Sequence, residues 1–255
     1  MATARSTLLT TGLPAAVSVA AAVVLLAVAG GQPSRAESRV PSRAVPVGTA
    51  VPEPLAPVTT APLNLPPSTT AVDSRWAAVT AVRTGIPARA LAAYGSAELA
   101  LTASNPGCRI GWPTLAAIGS VESDHGGAGG GLSPDGRTVQ PVIGVPLDGN
   151  GVAEIRDTDG GAVDGDDRDD RAVGPMQFIP STWARWAVDG DGDGVADPHD
   201  VDDAALAAAH YLCAGSTDLS QTRGWVAAVL GYNRSAEYAA LVSVRARAYV
   251  AASRG

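Results

Sequence analysis

Trp112-Pro-Thr-Leu-Ala-Ala-Ile-Gly-Ser-Val-Glu-Ser-Asp-His-Gly-Gly127 is the stretch whose reading decides the fold. Proline is favoured at a first helical position and glycine past a helix end, so Pro113 and Gly126-Gly127 bracket a short helix. At 3.6 residues per turn, Leu115, Ile118 and Glu122 share one face, and a carboxylate continues an apolar stripe. Partial desolvation and the negative end of the helix dipole both favour its protonated form. That is the state a general acid needs. The ordinary alternative is a Glu at the edge of the face, paired with an Arg and solvating the helix end.

On the N-terminal side the same period continues. Trp76, Val79 and Val82 mark a helix from Asp73 to Gly85, and a second runs from Pro87 to about Ala103 before the Asn105-Pro106-Gly107 turn. Further upstream the composition changes. Residues 32–72 carry nine prolines, from Pro33 to Pro67, which bury no core and favour extended conformations, so this part reads as a spacer. Residues 1–31 hold an uncharged apolar run, residues 13–31, with Ala27-Val28-Ala29 as a small-residue cleavage site. The run reads as a signal peptide or as a signal anchor in the membrane, and either places the remainder outside the cytoplasm. The folded domain is then residues 73–255.

On the C-terminal side, Gly127 opens about forty-five residues rich in Gly and Asp, within which Val142–Val145 and Val152–Ile155 read as a small hairpin. The Asp residues of this segment fit no defined ligand spacing and read as a solvated acidic loop. Ser181 to Ala187 forms a short helix, and an Ala-rich helix runs from Asp202 or Asp203 to Ala214. Between them lies Asp189-Gly-Asp-Gly-Asp-Gly-Val-Ala-Asp-Pro-His-Asp200. Asp189, Asp191 and Asp193 take positions one, three and five, Gly194 position six, Val195 seven, Asp197 nine and Asp200 twelve. This is the calcium-loop pattern of an EF-hand, with Asp where position twelve usually has Glu. Five carboxylates in twelve residues repel one another without a cation. A structural Ca2+ is expected. The last helices run from Trp225 to Gly231 and from the Ser235 cap through Tyr249.

The chain of 255 residues has a net charge of −7 and no Lys, so no basic stripe suggests a nucleic-acid partner. Its two cysteines, Cys108 and Cys213, can form one disulfide if the protein is exported; in a reducing compartment they are two unrelated apolar residues. A bridge would tether the Asp-rich loop to the Glu122 helix.

Four blocks in order, Ile118–Gly126, Gly174-Pro-Met-Gln-Phe-Ile-Pro-Ser-Thr-Trp183, Asp189–Asp200 and Gly231-Tyr-Asn-Arg-Ser-Ala-Glu-Tyr238, resemble those of lytic murein transglycosylases of the B type, over roughly residues 110–249. The resemblance implies a mainly α, lysozyme-like domain with a long irregular loop and an EF-hand-like calcium loop. It implies peptidoglycan glycan strands as substrate and Glu122 as sole acid/base. It also implies that Met176 and Gln177 line the sugar cleft, with Tyr232 and Asn233 near the Glu. A glycosidase with two carboxylates would need a second acid in a comparable setting, and Glu154 and Glu237 lie in a loop and near a helix start. Asp124, close to Glu122, would favour hydrolysis if it positioned a water in the cleft. Two rival readings are a hydrolytic muramidase of the same fold and a non-catalytic calcium-binding surface module.

Overall fold

The computed structural model describes residues 71–215 and 218–255. The expected signal or anchor (1–31) and all but the end of the Pro-rich spacer (32–72) lie outside the described residues. No helix among the described residues is long and apolar enough to cross a membrane.

The domain is mainly helical, as expected: α1 (Ser74–Thr84), α2 (Ala88–Ser104), α3 (Trp112–Ser123), α4 (Pro180–Trp186), α5 (Val201–Ala214), α6 (Thr222–Tyr232) and α7 (Ala236–Ser253), with two short strands, β1 (Ile143–Pro146) and β2 (Arg171–Val173). Local chemistry accounts for most ends. Asp73 caps α1 by accepting from the Trp76 N–H, and Gly85 closes it in the left-handed region at φ 75°. Ser235 caps α7 by accepting from the Tyr238 N–H. Helix α3 lacks a capping side chain of its own, and the Glu98 carboxylate from α2 accepts from the Trp112 N–H at 2.7 Å instead.

Helix α2 lies along α5 and α3 lies along α7. Because Leu115, Ala116, Ala117 and Ile118 are all fully buried, α3 is enclosed on more than one face and runs through the core. Ala204 to Ala209 give α5 the same character: small side chains let helices approach closely. The disulfide Cys108–Cys213 joins the approach to α3 to the last turn of α5.

The strand pairing differs from the expected hairpin. Ile143 faces Val173 and Pro146 faces Arg171, antiparallel with an irregularity between them. The Val152–Ile155 segment pairs outside the named strands, through the isolated bridge Asp148–Glu154 and through Ile155, whose amide donates to the Leu147 carbonyl and whose carbonyl accepts from the Asp170 amide. The intervening acidic segment is also more than a solvated loop. Its Asp side chains satisfy its own backbone: Asp157 accepts from the amides of Asp159, Gly160 and Gly161, Asp159 from those of Gly161, Ala162 and Val163, and buried Asp170 from both the amide and hydroxyl of Thr158. Aspartate is used here as a turn former. Helix α6 begins at Thr222, three residues before the expected Trp225.

Candidate active site

Glu122 lies in the last turn of α3, where the chain leaves the helix through three consecutive left-handed residues, Asp124 (φ 55°), His125 (φ 58°) and Gly126 (φ 86°). The His125 amide closes the end on the Gly119 carbonyl at 2.9 Å. The next side chain, Ser123, donates to the Pro175 carbonyl at 2.7 Å. That bond ties the helix end to the turn Gly174–Gln177.

This turn is itself unusual. Gly174 takes φ 76° and packs against the Pro198 carbonyl so closely that no Cβ fits there. The turn therefore rests on the Asp-rich loop. Gln177 also adopts a left-handed φ of 52°, and its side-chain amide donates to the carbonyl of Gly174 at 3.0 Å and to those of Val142 and Ala172 at 3.4 Å. The Gln177 N–H groups thus tie the turn to β2 and to the residue just before β1. Met176 is fully buried, with its sulfur packed near Gly119, so in this conformation it is a core residue offering no surface to a ligand.

The last wall comes from α6 and α7. The Tyr232 hydroxyl donates to the Met176 carbonyl at 2.7 Å, and its ring belongs to an edge-to-face series running Trp183, Phe178, Tyr232, Tyr211, Trp186. Asn233 ends α6 and accepts from the Ser235 amide at 3.1 Å. Gln177, Phe178, Ile179, Thr182, Tyr211 and Tyr232 line a narrow crevice beside this series. Tyr238, in the first turn of α7, donates to Glu122 Oε1 at 2.5 Å. The motif reading expects Tyr232 near Glu122, and the Glu122 charge does act on the buried Tyr232 hydroxyl; the hydroxyl that bonds the carboxylate is that of Tyr238. Its signal was present in the sequence, since a Tyr on the buried face of a helix needs a partner for its hydroxyl.

The electrostatics follow. Glu122 is half-buried at its rim, and burial among apolar atoms pushes its pKa from 4.5 up to about 7, opposed by the Tyr238 hydrogen bond. Among the described residues no other carboxylate contributes to that shift. Glu154 is exposed and paired with Arg156, and Glu237 is exposed and bound by the Ser235 hydroxyl. Asp124 caps α3 and is exposed, and its charge acts on Tyr94, His125 and Tyr249.

The Asp-rich loop is arranged differently from the motif. Asp189, Asp191 and Asp203 bring ligand oxygens within 4.8 Å of one another, as do Asp191, Asp200 and Asp202. Asp193 and Asp197 instead bind Arg137, at 3.2 and 2.9 Å. Asp200 caps α5 through the Asp202 amide. Asp203, absent from the twelve-residue pattern, is buried and accepts from the amides of Gly190 and Asp197. Burial, with repulsion from neighbouring aspartates, pushes both Asp200 and Asp203 up to about 7. The Val195 side chain, at the seventh position of the pattern, is exposed.

Residues 171–229 match the family model described as Transglycosylase SLT domain. The matched segment holds β2, the Gly174–Gln177 turn, α4, the Asp-rich loop, α5 and most of α6; Glu122 and Tyr238 lie outside it. No curated protein and no solved structure matches the chain. The matched segment supports a lytic transglycosylase family and, at that level, a protein that acts on peptidoglycan in the cell wall.

Proposed function

We propose that the protein is a lytic transglycosylase that cleaves the β-1,4 bond between MurNAc and GlcNAc with Glu122 as its single acid and base. The observation that carries this is one half-buried carboxylate, raised to about 7, with a hydrogen-bond donor on one oxygen and, among the described residues, no second carboxylate acting on it. Tyr238 holds Oε1, which leaves Oε2 to carry the proton. That proton goes to the glycosidic oxygen as the bond to the muramyl C1 breaks. The carboxylate then takes the proton of the muramyl C6 hydroxyl, and O6 bonds to C1. The product is a 1,6-anhydro ring, no water is consumed, and Glu122 ends protonated as it began. Gln177 and Tyr232 act in this reading by shaping the cleft wall, and Asn233 by setting the joint between α6 and α7.

Calcium fits the loop as a structural ion. The donors are hard oxygens, and Asp203 and Asp200 are buried carboxylates that crowd other carboxylates at the start of α5. Asp189, Asp191 and Asp203, joined by Asp200 and the Val195 carbonyl, would hold it. Its charge would relieve that repulsion and brace the Pro198 contact under Gly174.

The experiment is digestion of purified peptidoglycan by wild type and by Glu122→Gln. Soluble muropeptides released by wild type and absent with the variant are expected; equal release by both would refute the assignment.

A further inference from the structure

His125 lies three residues past Glu122, is buried, and takes no part in the chemistry described above. Both its ring nitrogens are engaged, Nδ1 with the Tyr94 hydroxyl of α2 at 3.1 Å and Nε2 with the Tyr249 hydroxyl of α7 at 3.1 Å. Tyr94 reaches it across Gly119, where its hydroxyl occupies the space a Cβ would need. An alanine at 119 would therefore displace Tyr94.

Helix α7 is fastened to α3 at three places: Tyr238 to Glu122, Arg245 to the Ser120 hydroxyl, and Tyr249 to His125. Tyr238 and Tyr249 lie eleven residues apart, about three helical turns, so they point to the same side of one rigid element. Where Tyr249 is held decides where Tyr238 meets the acid.

We propose that His125 is a positioning residue, a neutral bridge that locks α7 to the end of α3 and so sets the Tyr238–Glu122 contact. The inference rests on Glu122 being the acid. The ring is suited to the task because, when neutral, it has one donor and one acceptor, and each tyrosine hydroxyl can supply the complement. Its surroundings keep it neutral: burial dominates and lowers its pKa to about 4, with Asp124 raising it and Arg245 lowering it. The ionisable groups facing Glu122 are Tyr238 from α7 and Tyr232 from α6.

The test uses the full chain with its disulfide intact and compares wild type, Tyr249→Phe, Tyr94→Phe, His125→Phe and Glu122→Gln by muropeptide release across pH. Tyr249→Phe removes one hydroxyl from a packed ring; because that hydroxyl also bonds Ser120 and Arg245, Tyr94→Phe, which removes the other bond to His125, is run beside it, and the pair remains decisive if His125→Phe fails to fold. The Tyr249, Tyr94 and His125 variants are expected to lower kcat about tenfold, as a slight misplacement of a reacting group does, with KM changed less than about twofold. They should also move the alkaline limb of the rate profile to higher pH, because a weakened Tyr238 bond favours the protonated acid. Wild-type kcat, or a lower kcat with an unmoved limb, overturns the positioning role while an inactive Glu122→Gln leaves the assignment of the acid standing. An active Glu122→Gln overturns both.

Discussion

In the proposed reaction Glu122 combines two demands that conflict in free energy: a carboxyl must be surrounded by apolar atoms to keep its proton, and must later carry charge in the same place. The Tyr238 hydrogen bond is the compromise, since it supports the anion without a second charge. An acid with a pKa of about 7 predicts a rate that falls as pH rises through about 7. Tyr238→Phe removes a bond to the charged form, so that limb should move up by about one pH unit while kcat drops. A rate profile that keeps the wild-type limb would contradict this. Stability carries the same signature. The folded pKa lies above the ordinary 4.5, so this group's contribution is fully present below about 4.5 and is lost as pH rises through about 7. Glu122→Gln, which never ionises, should therefore gain melting temperature over wild type at about pH 8 relative to about pH 4. Thermal scans at the two pH values check it; an equal difference at both would count against the raised pKa.

At the scale of elements, the Asp-rich loop is the piece whose pattern and geometry diverge. Spacing alone nominates Asp193, Asp197 and Asp200 as ligands, but two of them bind Arg137, which comes from a segment 60 residues away from Asp197. Asp203 enters because the first turn of α5 folds back over Gly190. Calcium should raise the melting temperature by mass action, and Asp203→Asn should abolish that rise whereas Asp193→Asn should leave most of it. Calcium-dependent melting of the two variants decides between the loop pattern and the observed grouping. The helices themselves were legible from local chemistry: Asp73, Gly85, Pro113 and Ser235 each mark a boundary through a cap or a fixed φ. The sheet was not, because β1 pairs with β2 across an acidic segment whose turns are made by Asp side chains rather than by a hairpin signal.

Across the whole molecule, the site depends on contacts distant in sequence. Tyr238 meets Glu122 over 116 residues, and Tyr232 meets Met176 over 56. The motif blocks brought Glu122, Gln177 and Tyr232 together in order, yet they could not show that the Gln177 amide is committed to its own turn, that Met176 is enclosed, or which tyrosine touches the acid. Those outcomes depend on how α6 and α7 pack, which periodicity does not encode. The Cys108–Cys213 bridge, separated by 105 residues, constrains much of this arrangement. Replacing both cysteines by alanine should cost about 4–5 kcal/mol in the chain-entropy model, measurable by denaturant unfolding, and a loss well under 1 kcal/mol would show that the loop it closes is already restrained when unfolded.

In the proposed reaction one carboxyl serves as acid and then as base, and the substrate's own C6 hydroxyl takes the place of water. Digestion of peptidoglycan in water labelled with heavy oxygen, followed by mass spectrometry of the muropeptides, tests it most directly. The expected products are 1,6-anhydromuramyl ends that carry no label and disappear with Glu122→Gln. Reducing ends that carry the label would show that water attacks C1, and would contradict it.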